Sequence, residues 1–253
     1  MTPSTGQRHQ AIPICGPDDF AAAFHVSLET LDRLVTYERL LRQWQKTINL
    51  VAPSTLDAIW DRHFADSAQL LALAPAATTW VDLGSGAGFP GLVIAVMLAE
   101  RMKGSVPTPN PSPQGGGESP AGRKATRITL IESNARKCAF LREVVRETGI
   151  AACVTVDILS TRIEAAATQA RLRGPDVVSA RALAPLDKLV NLAAPLSPPR
   201  TIGLFLKGRD AAKELKAAEK MWNFNVELVP SRTDPDARIV VIRNLQPKTK
   251  TKE

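Results

Sequence analysis

Residues 81–91 read VDLGSGAGFPG, in which a short apolar strand runs into a glycine-rich turn and then into a helix. Glycines let such a turn bend sharply and let a ligand approach the backbone, and the N-terminus of the helix offers unpaired N–H groups. Pro90 suits the first turn of that helix, because the N–H that proline lacks has no partner there. The stretch therefore predicts a site for a nucleotide-like ligand.

Two classes of cofactor fit this turn. Gly86, Gly88 and Gly91 satisfy the dinucleotide fingerprint GxGxxG, so an enzyme that binds a nicotinamide or flavin nucleotide is one interpretation. Asp82 stands two residues before Gly84 at the strand end, where a carboxylate can meet a cationic amino group or a polar network but contributes little to binding a pyrophosphate. The glycines at 84, 86 and 88 also alternate in the form DxGxGxG, which resembles the first motif of class I methyltransferases. These features favour S-adenosylmethionine.

A second candidate cofactor contact is Glu132, which ends the next predicted strand in the run Leu130-Ile131-Glu132. A carboxylate there can accept hydrogen bonds from both hydroxyls of an adenosine ribose, and both cofactor classes use one. Gly84 and Glu132 are 48 residues apart, or 27 without the 21 residues of an insertion at 104–124, near the roughly 20 expected. A residue that only caps the strand end is the alternative.

Length and composition suit one soluble α/β domain with an appendage, or at most two small domains. Of the 253 residues, 44% are hydrophobic and 23% are charged, and the longest apolar run, 92–99, is far shorter than the roughly 20 residues of a membrane-spanning helix. Residues 1–10 lack the pattern of an export signal, and Cys15, Cys138 and Cys153 lack the paired spacing of zinc sites or disulfide scaffolds. We therefore expect a cytoplasmic protein that contacts no membrane and holds no metal.

Hydrophobic periodicity predicts two helices ahead of the first strand. From Ser27 to Ile48, apolar residues recur at three- and four-residue spacing, with Ser27 as the N-cap. After a proline at 53, Ser54 and Asp57 resemble a capping box that opens a second helix through about Leu73.

From residue 78 onward, strands and helices alternate, which predicts an open parallel sheet covered by helices and closed by an antiparallel hairpin at one edge. The predicted strands are 80–83, 128–131, 152–156, 176–180, 202–206, 224–229 and 238–243, and the predicted helices are 90–102, 134–148, 161–170, 185–194 and 211–221.

The same patterns divide the chain into segments. They predict a flexible leader (1–26), a helical N-terminal segment (27–76), an α/β domain (77–244) and a basic tail (245–253). Residues 104–124 are rich in Pro, Gly and Ser, and we expect them to form a disordered insertion because they cannot bury an apolar core.

Four segments in this order resemble the small-subunit ribosomal RNA methyltransferase G family. They are RHFADS at 62–67, the run 82–91 with its GFPG ending, ESNARK at 132–137 and SARA at 179–182. The resemblance extends from about Leu28 to Arg243, and the chain departs from the family mainly in the insertion after Lys103.

This resemblance implies a class I S-adenosylmethionine-dependent methyltransferase, with a Rossmann-like, seven-stranded, mostly parallel sheet and a small helical N-terminal segment. It implies methyl transfer to N7 of a guanine in 16S ribosomal RNA, at position 527 in the usual numbering, near the decoding centre. The implied cofactor contacts, together with the motif residues, are Asp82, Gly84, Gly86, Gly88, Phe89, Glu132, Ile163, Glu164 and Arg181.

Methylation of guanine N7 requires no general base, because N7 carries a free in-plane lone pair. The demands on the site are close approach, alignment and exclusion of water. Arg181 follows the predicted strand 176–180, at the edge where open α/β sheets bind their ligands. We therefore predict that Arg181 positions the cofactor or the guanine.

Two other methylation chemistries fit the sequence less well. Enzymes that methylate exocyclic amino groups typically carry Asn/Asp-Pro-Pro-aromatic where residues 179–182 stand, and the Ser-Pro-Pro-Arg at 197–200 is typical of a turn. Methylation of pyrimidine C5 needs a cysteine nucleophile, but Cys138 and Cys153 are predicted to be core residues, in a helix and in a strand.

The formal net charge of +7 permits a polyanionic partner without requiring one, and the resemblance implies 16S ribosomal RNA or the small ribosomal subunit. Eight basic residues are candidates for phosphate contacts: Arg39, Arg42, Lys46, Arg62, Arg136, Lys137, Lys207 and Arg209. His63 and Asp66, three residues apart on a helix, suit a mutual hydrogen bond, and no third ligand suggests a metal.

Other interpretations remain open at this point. They are a methyltransferase of a small molecule or a protein, a nicotinamide-binding oxidoreductase, and a noncatalytic RNA-binding module. We expect a monomer, because no long apolar seam is left over in the sequence.

Overall fold

The computed structural model describes residues 13–103, 125–165, 172 and 174–248. The insertion predicted at 104–124, the second half of the helix predicted at 161–170 and the last five residues of the predicted tail lie outside the described residues.

A seven-stranded sheet forms the centre of the molecule. Its strands are β1 (Thr79–Leu83), β2 (Arg127–Glu132), β3 (Thr155–Ser160), β4 (Val177–Arg181), β5 (Ile202–Lys207), β6 (Trp222–Pro230) and β7 (Arg238–Pro247). They lie in the order β3-β2-β1-β4-β5-β7-β6; β1 to β5 run parallel, and β7 runs antiparallel to both β5 and β6. The predicted α/β fold with an antiparallel hairpin at one edge is confirmed.

Helices cover both faces of this sheet. They are α1 (Pro17–Phe24), α2 (Leu28–Gln45), α3, α4 (Gly91–Lys103), α5 (Ala135–Thr148), α6 (Leu186–Ala193) and α7 (Ala211–Ala218), where α3 joins a π-helix (Trp60–Ala65), an α-helical turn (Asp66–Ala68) and a 3-10 helix (Gln69–Leu73). The N-terminal helices, α4 and α5 share one apolar core with the sheet, and α6 and α7 share a second on the opposite face. No helix in the described ranges is long and apolar enough to cross a bilayer.

The register of the central strands brings three strand ends together. Leu83 of β1 pairs with Ile131 of β2 and with Ala180 of β4. The strand order reverses between β1 and β4, and ligands of such sheets bind outside the carboxyl ends at this reversal. The residues that follow these strands therefore face one crevice.

Helix α1 lies inside the predicted flexible leader, so that prediction was wrong over these residues. Phe20 is fully buried, and its ring lies 4.6 Å from the ring of Phe24 and 5.6 Å from that of Trp60, centroid to centroid. Burying such a side chain contributes roughly 1.5–3 kcal/mol. Contacts with a distant helix therefore stabilise eight residues whose own periodicity gives no clear signal.

The N-terminal helices follow the prediction only in part. The Oγ of Ser27 accepts a hydrogen bond from the backbone N–H of Thr30 at 3.3 Å, so Ser27 caps α2 as predicted. Helix α3 begins at Trp60 rather than at Ser54, and Ser54 and Asp57 therefore do not open it. Residues 53–55 instead form a separate 3-10 turn, which α3 follows after a break.

Two boundaries after α5 differ from the prediction. Gly149 ends α5 in the left-handed conformation and a 3-10 turn follows, so β3 begins only at Thr155. Cys153 therefore lies in a half-buried turn and not in a strand, whereas Cys138 is buried in α5 as predicted. Residues 161–165 form a bend and a turn rather than the start of a helix.

The predicted basic tail begins too early. Strand β7 continues through Pro247, which pairs with Trp222 of β6, and Leu245 is buried. The long hairpin therefore includes the first residues assigned to the tail.

Candidate functional site

A cavity of about 390 Å³ opens at the carboxyl ends of β1, β2 and β4. Its volume lies in the range of small-molecule and cofactor sites. Most of the predicted cofactor contacts line it, namely Gly84, Gly86, Phe89, Glu132, Ile163, Glu164 and Arg181. The fold thus gathers residues that are almost 100 positions apart in the sequence.

The turn between β1 and α4 has a backbone that favours glycine. Gly84, Gly86 and Gly88 have φ angles of 63°, 55° and 94°, in the left-handed region that side chains disfavour. A Cβ on Gly84 would lie 2.5 Å from Cδ1 of Leu183, so the turn also packs tightly against the opposite wall of the cavity. Helix α4 begins at Gly91, and the carbonyl of Pro90 accepts from the N–H of Ile94 at 3.1 Å, so Pro90 stands at the start of the helix.

Asp82 braces the turn from behind and does not line the cavity. Its side chain is buried, with Oδ1 accepting from the hydroxyl of Ser179 at 2.9 Å and Oδ2 from the backbone N–H of Gly91 at 3.3 Å. Burial raises the pKa of Asp82 to about 6, although these hydrogen bonds oppose the rise. The carboxyl group therefore joins β1, β4 and α4 in the polar network expected at this strand end, and a contact between Asp82 and the cofactor stays a prediction.

Gly88 also lies away from the cavity wall. A Cβ on Gly88 would lie 2.5 Å from the hydroxyl oxygen of Tyr37, on the side of the turn that faces α2. Tyr37 is fully buried, and its hydroxyl donates a hydrogen bond to the carbonyl of Ala87. Gly88 therefore allows the turn to pack against α2, and its predicted contact with the cofactor stays a prediction.

Glu132 is held in place by the turn that it faces. Its Oε2 accepts from the backbone N–H of Gly86 at 2.9 Å, and its Oε1 accepts from the N–H of Asn134 at 2.7 Å. The side chain of Asn134 in turn caps α5 by accepting from the N–H groups of the first turn. Each carboxylate oxygen keeps acceptor capacity after one such bond, so Glu132 can still accept from a pair of hydroxyls.

Phe89 forms the floor between the cavity and the N-terminal helices. Its ring stacks on that of Tyr37, 5.3 Å away at 14°, and on that of His63, 4.9 Å away at 24°. The guanidinium carbon of Arg181 lies 5.0 Å from the centroid of the same ring. On the other side of the cavity, the turn after β3 contributes Ile163, which is buried, and Glu164, which is exposed.

Arg181 is the last residue of β4, and side chains of α3 hold its guanidinium. Its Nη1 donates to the carbonyl of Arg62 at 2.8 Å and lies 3.4 Å from Oδ2 of Asp66, and its Nη2 bonds to Nδ1 of His63. The side chains of Arg181 and Asp66 are each 16% exposed. The mutual hydrogen bond predicted between His63 and Asp66 is not formed, because both side chains bind Arg181 instead.

The hydrogen bonds of His63 define its tautomer. Burial, followed by the charges of Arg181 and Arg62, lowers the pKa of His63 to about 3, so the ring is neutral at physiological pH. Since the guanidinium of Arg181 can only donate, Nδ1 is the acceptor and Nε2 carries the proton. Nε2 lies 2.8 Å from Oγ1 of Thr55, which itself donates to the carbonyl of Ala52 at 2.7 Å.

A second cavity, of about 660 Å³, adjoins the first. Arg181, Ala182 and residues 50–51 line both of them. The wall of the second cavity also includes Asp66 and residues of the connection between β6 and β7, which we call the 231–237 loop. Arg181 therefore stands at the boundary of two adjacent spaces.

Several basic residues that were predicted to contact phosphate are paired with acidic side chains. The pairs are Arg39 with Glu147 (3.5 Å), Arg42 with Glu38 (2.8 Å), Arg62 with Asp234 (2.9 Å) and Lys207 with Glu214 (2.6 Å). Lys137 lines the first cavity. Among the described residues, no group of three or more His, Cys, Asp and Glu side chains has the arrangement of a metal site.

The role of Tyr37 and the partners of Arg181 were not predicted from the sequence. Tyr37 follows Leu34 by three residues and precedes Leu41 by four, so helical spacing would have placed it on the buried face of α2. No sequence signal links Arg181 to His63 or Asp66, which lie more than 110 positions earlier.

Comparison with known proteins gives consistent matches. The model of one family, GidB (rRNA small subunit methyltransferase G), matches residues 30–103 and 122–240. The ribosomal RNA small subunit methyltransferase G of Parvibaculum lavamentivorans is 48% identical over 229 residues, which cover 90% of this chain and 89% of that protein. That of Rhodospirillum centenum is 49% identical over 231 residues, 91% of each chain.

Solved structures match at the level of the fold. A methyltransferase from Geobacter sulfurreducens matches with a TM-score of 0.51 and 12% identity, over 92% of this chain and 98% of that one. The O-methyltransferase from Bacillus cereus, in complex with SAH, matches with a TM-score of 0.50 and 11% identity, over 90% and 96%. The architecture is therefore that of class I methyltransferases.

Proposed function

Because the chain belongs to the rRNA small subunit methyltransferase G family, we propose that it transfers a methyl group from S-adenosylmethionine to guanine N7 of 16S ribosomal RNA, at position 527 in the usual numbering. The observation that carries this proposal is the cavity at the carboxyl ends of β1, β2 and β4, where Glu132 and Arg181 face the glycine turn.

The residues of the first cavity suit S-adenosylmethionine. Glu132 offers acceptors for the two ribose hydroxyls, and the buried side chain of Ile163 offers an apolar contact for an adenine. Gly86 leaves open space, since a Cβ built on it would meet no atom nearer than 3.8 Å. When bound, this cofactor supplies a methyl group on a positively charged sulfur.

The task of the protein is chiefly to position the two reactants and exclude water. The N7 lone pair of guanine needs no deprotonation, and the buried Phe89 supplies a water-free floor. The reaction conserves positive charge, so little electrostatic stabilisation is required. Arg181, which lines both cavities, is placed to hold the cofactor on one side or the guanine on the other.

The second cavity provides the space for the acceptor nucleotide in this proposal. It adjoins the first at Arg181, and its wall carries basic side chains at Arg209 and Arg238, whereas Arg62 and Lys207 on the same wall are paired with Asp234 and Glu214. Such side chains contribute contacts to phosphate that do not depend on base sequence. The RNA is then held beside the methyl donor without a metal or a general base.

Two measurements test the proposal. We expect S-adenosylhomocysteine to bind the purified protein in calorimetry and to raise its melting temperature, whereas NAD should do neither. We also expect 7-methylguanosine to appear in 16S RNA when small subunits from cells that lack the gene are incubated with the protein and S-adenosylmethionine. Methylation of a different atom or of another molecule would contradict the proposed acceptor, and stabilisation by NAD alone would favour an oxidoreductase.

Glu132→Gln tests the proposed site within that experiment. Glutamine keeps one acceptor oxygen, so it cannot satisfy the N–H groups of Gly86 and Asn134 and also accept from two hydroxyls. We expect the affinity for S-adenosylhomocysteine to fall at least about tenfold, the loss of one charge-assisted hydrogen bond. Glu227→Gln makes the same chemical change on the exposed strand β6 and should leave the affinity unchanged. Equal affinities for both variants would exclude Glu132 from the site.

A further inference from the structure

The structure connects Arg181 to a part of the chain that belongs to neither the glycine turn nor the sheet edge. We propose that Asp66 is a positioning residue, which fixes the guanidinium of Arg181 at the boundary of the two cavities and ties it to the 231–237 loop. This inference rests on the proposed function for its catalytic consequence, but the contacts themselves can be tested without any methyl transfer.

Three groups of α3 hold the guanidinium of Arg181. Nη1 of Arg181 is shared between the carbonyl of Arg62 and the carboxylate of Asp66, and Nη2 bonds to His63. Of these three partners, only Asp66 can carry a negative charge, since the ring of His63 is neutral and the third partner is a backbone carbonyl. Burial raises the pKa of Asp66, whereas the charge of Arg181 and the hydrogen bond from Thr233 favour its ionised form. A buried cation depends on such a charge, so Asp66 is the principal anchor.

Hydrogen bonds from Gln69 and the 231–237 loop hold Asp66 itself in place. Its Oδ1 accepts from Nε2 of Gln69 at 2.9 Å and from the hydroxyls of Thr233 at 3.1 Å and Ser231 at 3.4 Å. Gln69 also binds the same loop, because its Oε1 accepts from the N–H of Arg232 at 3.0 Å. The carboxylate is thus fixed from three sides, and one of its oxygens holds the loop while the other holds Arg181.

Part of the guanidinium of Arg181 remains available to ligands. A guanidinium has five N–H donors in a rigid plane, and the contacts with α3 account for three of them. Arg181 lines both cavities, so its remaining donors are the ones available to a ligand. Asp66 therefore sets the direction of these donors. The 231–237 loop forms part of the wall of the second cavity, and the carboxylate of Asp66 links this loop to Arg181.

Asp176 offers a matched control for Asp66. Asp176 is likewise a networked carboxylate, which accepts from the N–H groups of Thr78 and Thr79 at 2.9 Å each and from the hydroxyl of Thr78 at 3.2 Å. It directly precedes β4, whereas Arg181 is the last residue of that strand, so the two residues lie at opposite ends of β4. Asp176→Asn therefore reproduces the general loss of stability that accompanies the loss of such a carboxylate, without touching Arg181.

Side-chain NMR tests the contact directly. In protein labelled with ¹⁵N-arginine, the Nη resonances of Arg181, assigned by their loss in Arg181→Ala, should be resolved because the anchored guanidinium rotates slowly. In Asp66→Asn we expect them to merge, whereas in Asp176→Asn they should stay resolved. Resolved signals in folded Asp66→Asn would overturn the proposal. Should Asp66→Asn not fold, Thr233→Val removes one of the bonds that fix Asp66 and should broaden the same signals, and unchanged signals in that variant would overturn it equally.

A double-mutant cycle tests the consequence for the reaction. We expect Asp66→Asn to lower kcat for 16S RNA about tenfold, the effect of losing one charge-assisted hydrogen bond, and to change KM much less. When Arg181 is already alanine, Asp66→Asn should lower kcat less than about twofold further. An equal loss in both backgrounds would show a purely structural role and refute the proposal. Failure of the wild-type protein to bind S-adenosylhomocysteine would instead refute the proposed function, and the NMR result would still decide the role of Asp66.

Discussion

The buried carboxyl group of Asp82 should make the stability of this protein depend on pH in a characteristic way. Burial raises its pKa from an ordinary value of 3.8 to about 6, and hydrogen bonds from Ser179, Ser85 and Gly91 oppose the rise. The folded protein therefore binds the proton of Asp82 more tightly than the unfolded chain does. Consequently, the stabilisation from a protonated Asp82 is fully present below pH 3.8 and is lost as the pH rises to about 6.

The magnitude follows from the two pKa values. At 1.36 kcal/mol for each pKa unit, the difference between 3.8 and about 6 corresponds to about 3 kcal/mol. Asp82→Asn carries no charge at any pH, and its amide can donate to the hydroxyl of Ser179 while its oxygen accepts from Gly91. Any change in packing that it causes is independent of pH. About 0.6 kcal/mol of the stabilisation from Asp82 is already lost at pH 4, because a carboxyl with a pKa of 3.8 is more than half ionised there in the unfolded chain. The free energy of unfolding of Asp82→Asn minus that of the wild type should therefore increase by about 2.4 kcal/mol between pH 4 and pH 7.

Urea unfolding followed by circular dichroism at pH 4, 5, 6 and 7 measures this difference. Asp176→Asn is the control with the opposite sign, because hydrogen bonds from Thr78 and Thr79 outweigh the effect of burial and lower the pKa of Asp176. Asp176 stabilises the fold above its unfolded pKa, so that variant should be relatively less stable at pH 7 than at low pH. A difference between Asp82→Asn and the wild type that stays constant from pH 4 to pH 7 would refute the reasoning, since Asp82 would then ionise as it does in the unfolded chain.

Two further predictions concern the glycine turn. Gly84→Ala introduces a Cβ at a φ of +63° and 2.5 Å from Leu183, so it should lower the melting temperature by several degrees and weaken binding of S-adenosylhomocysteine about tenfold. Unchanged binding in calorimetry would contradict this prediction. Tyr37→Phe leaves the carbonyl of Ala87 without the hydrogen bond from the fully buried Tyr37, so the free energy of unfolding in urea should fall by about 1–3 kcal/mol. A variant as stable as the wild type would argue against that bond.

The sequence by itself determined the parallel sheet, the glycine turn and the placement of Glu132 and Arg181 at one crevice. Alternating strands and helices require parallel strands, and parallel strands put their carboxyl ends on one edge. Glu132 and Arg181 could therefore be assigned to the same crevice as the glycines from their positions in the chain alone. Local signals of this kind, such as the Ser27 cap, depend only on neighbouring residues and are readable for that reason.

Only the tertiary structure decided which side chains meet across the molecule. The sequence predicts that His63 binds Asp66, three residues away, but packing of α3 against the end of β4 turns both toward Arg181. Packing likewise directs the side chain of Asp82 into the core, outside the lining of the first cavity. Periodicity specifies which face of an element is buried, whereas the partner on that face is set by the packing of elements that are distant in the chain, and this is why the cavity could be predicted but the support of Arg181 could not.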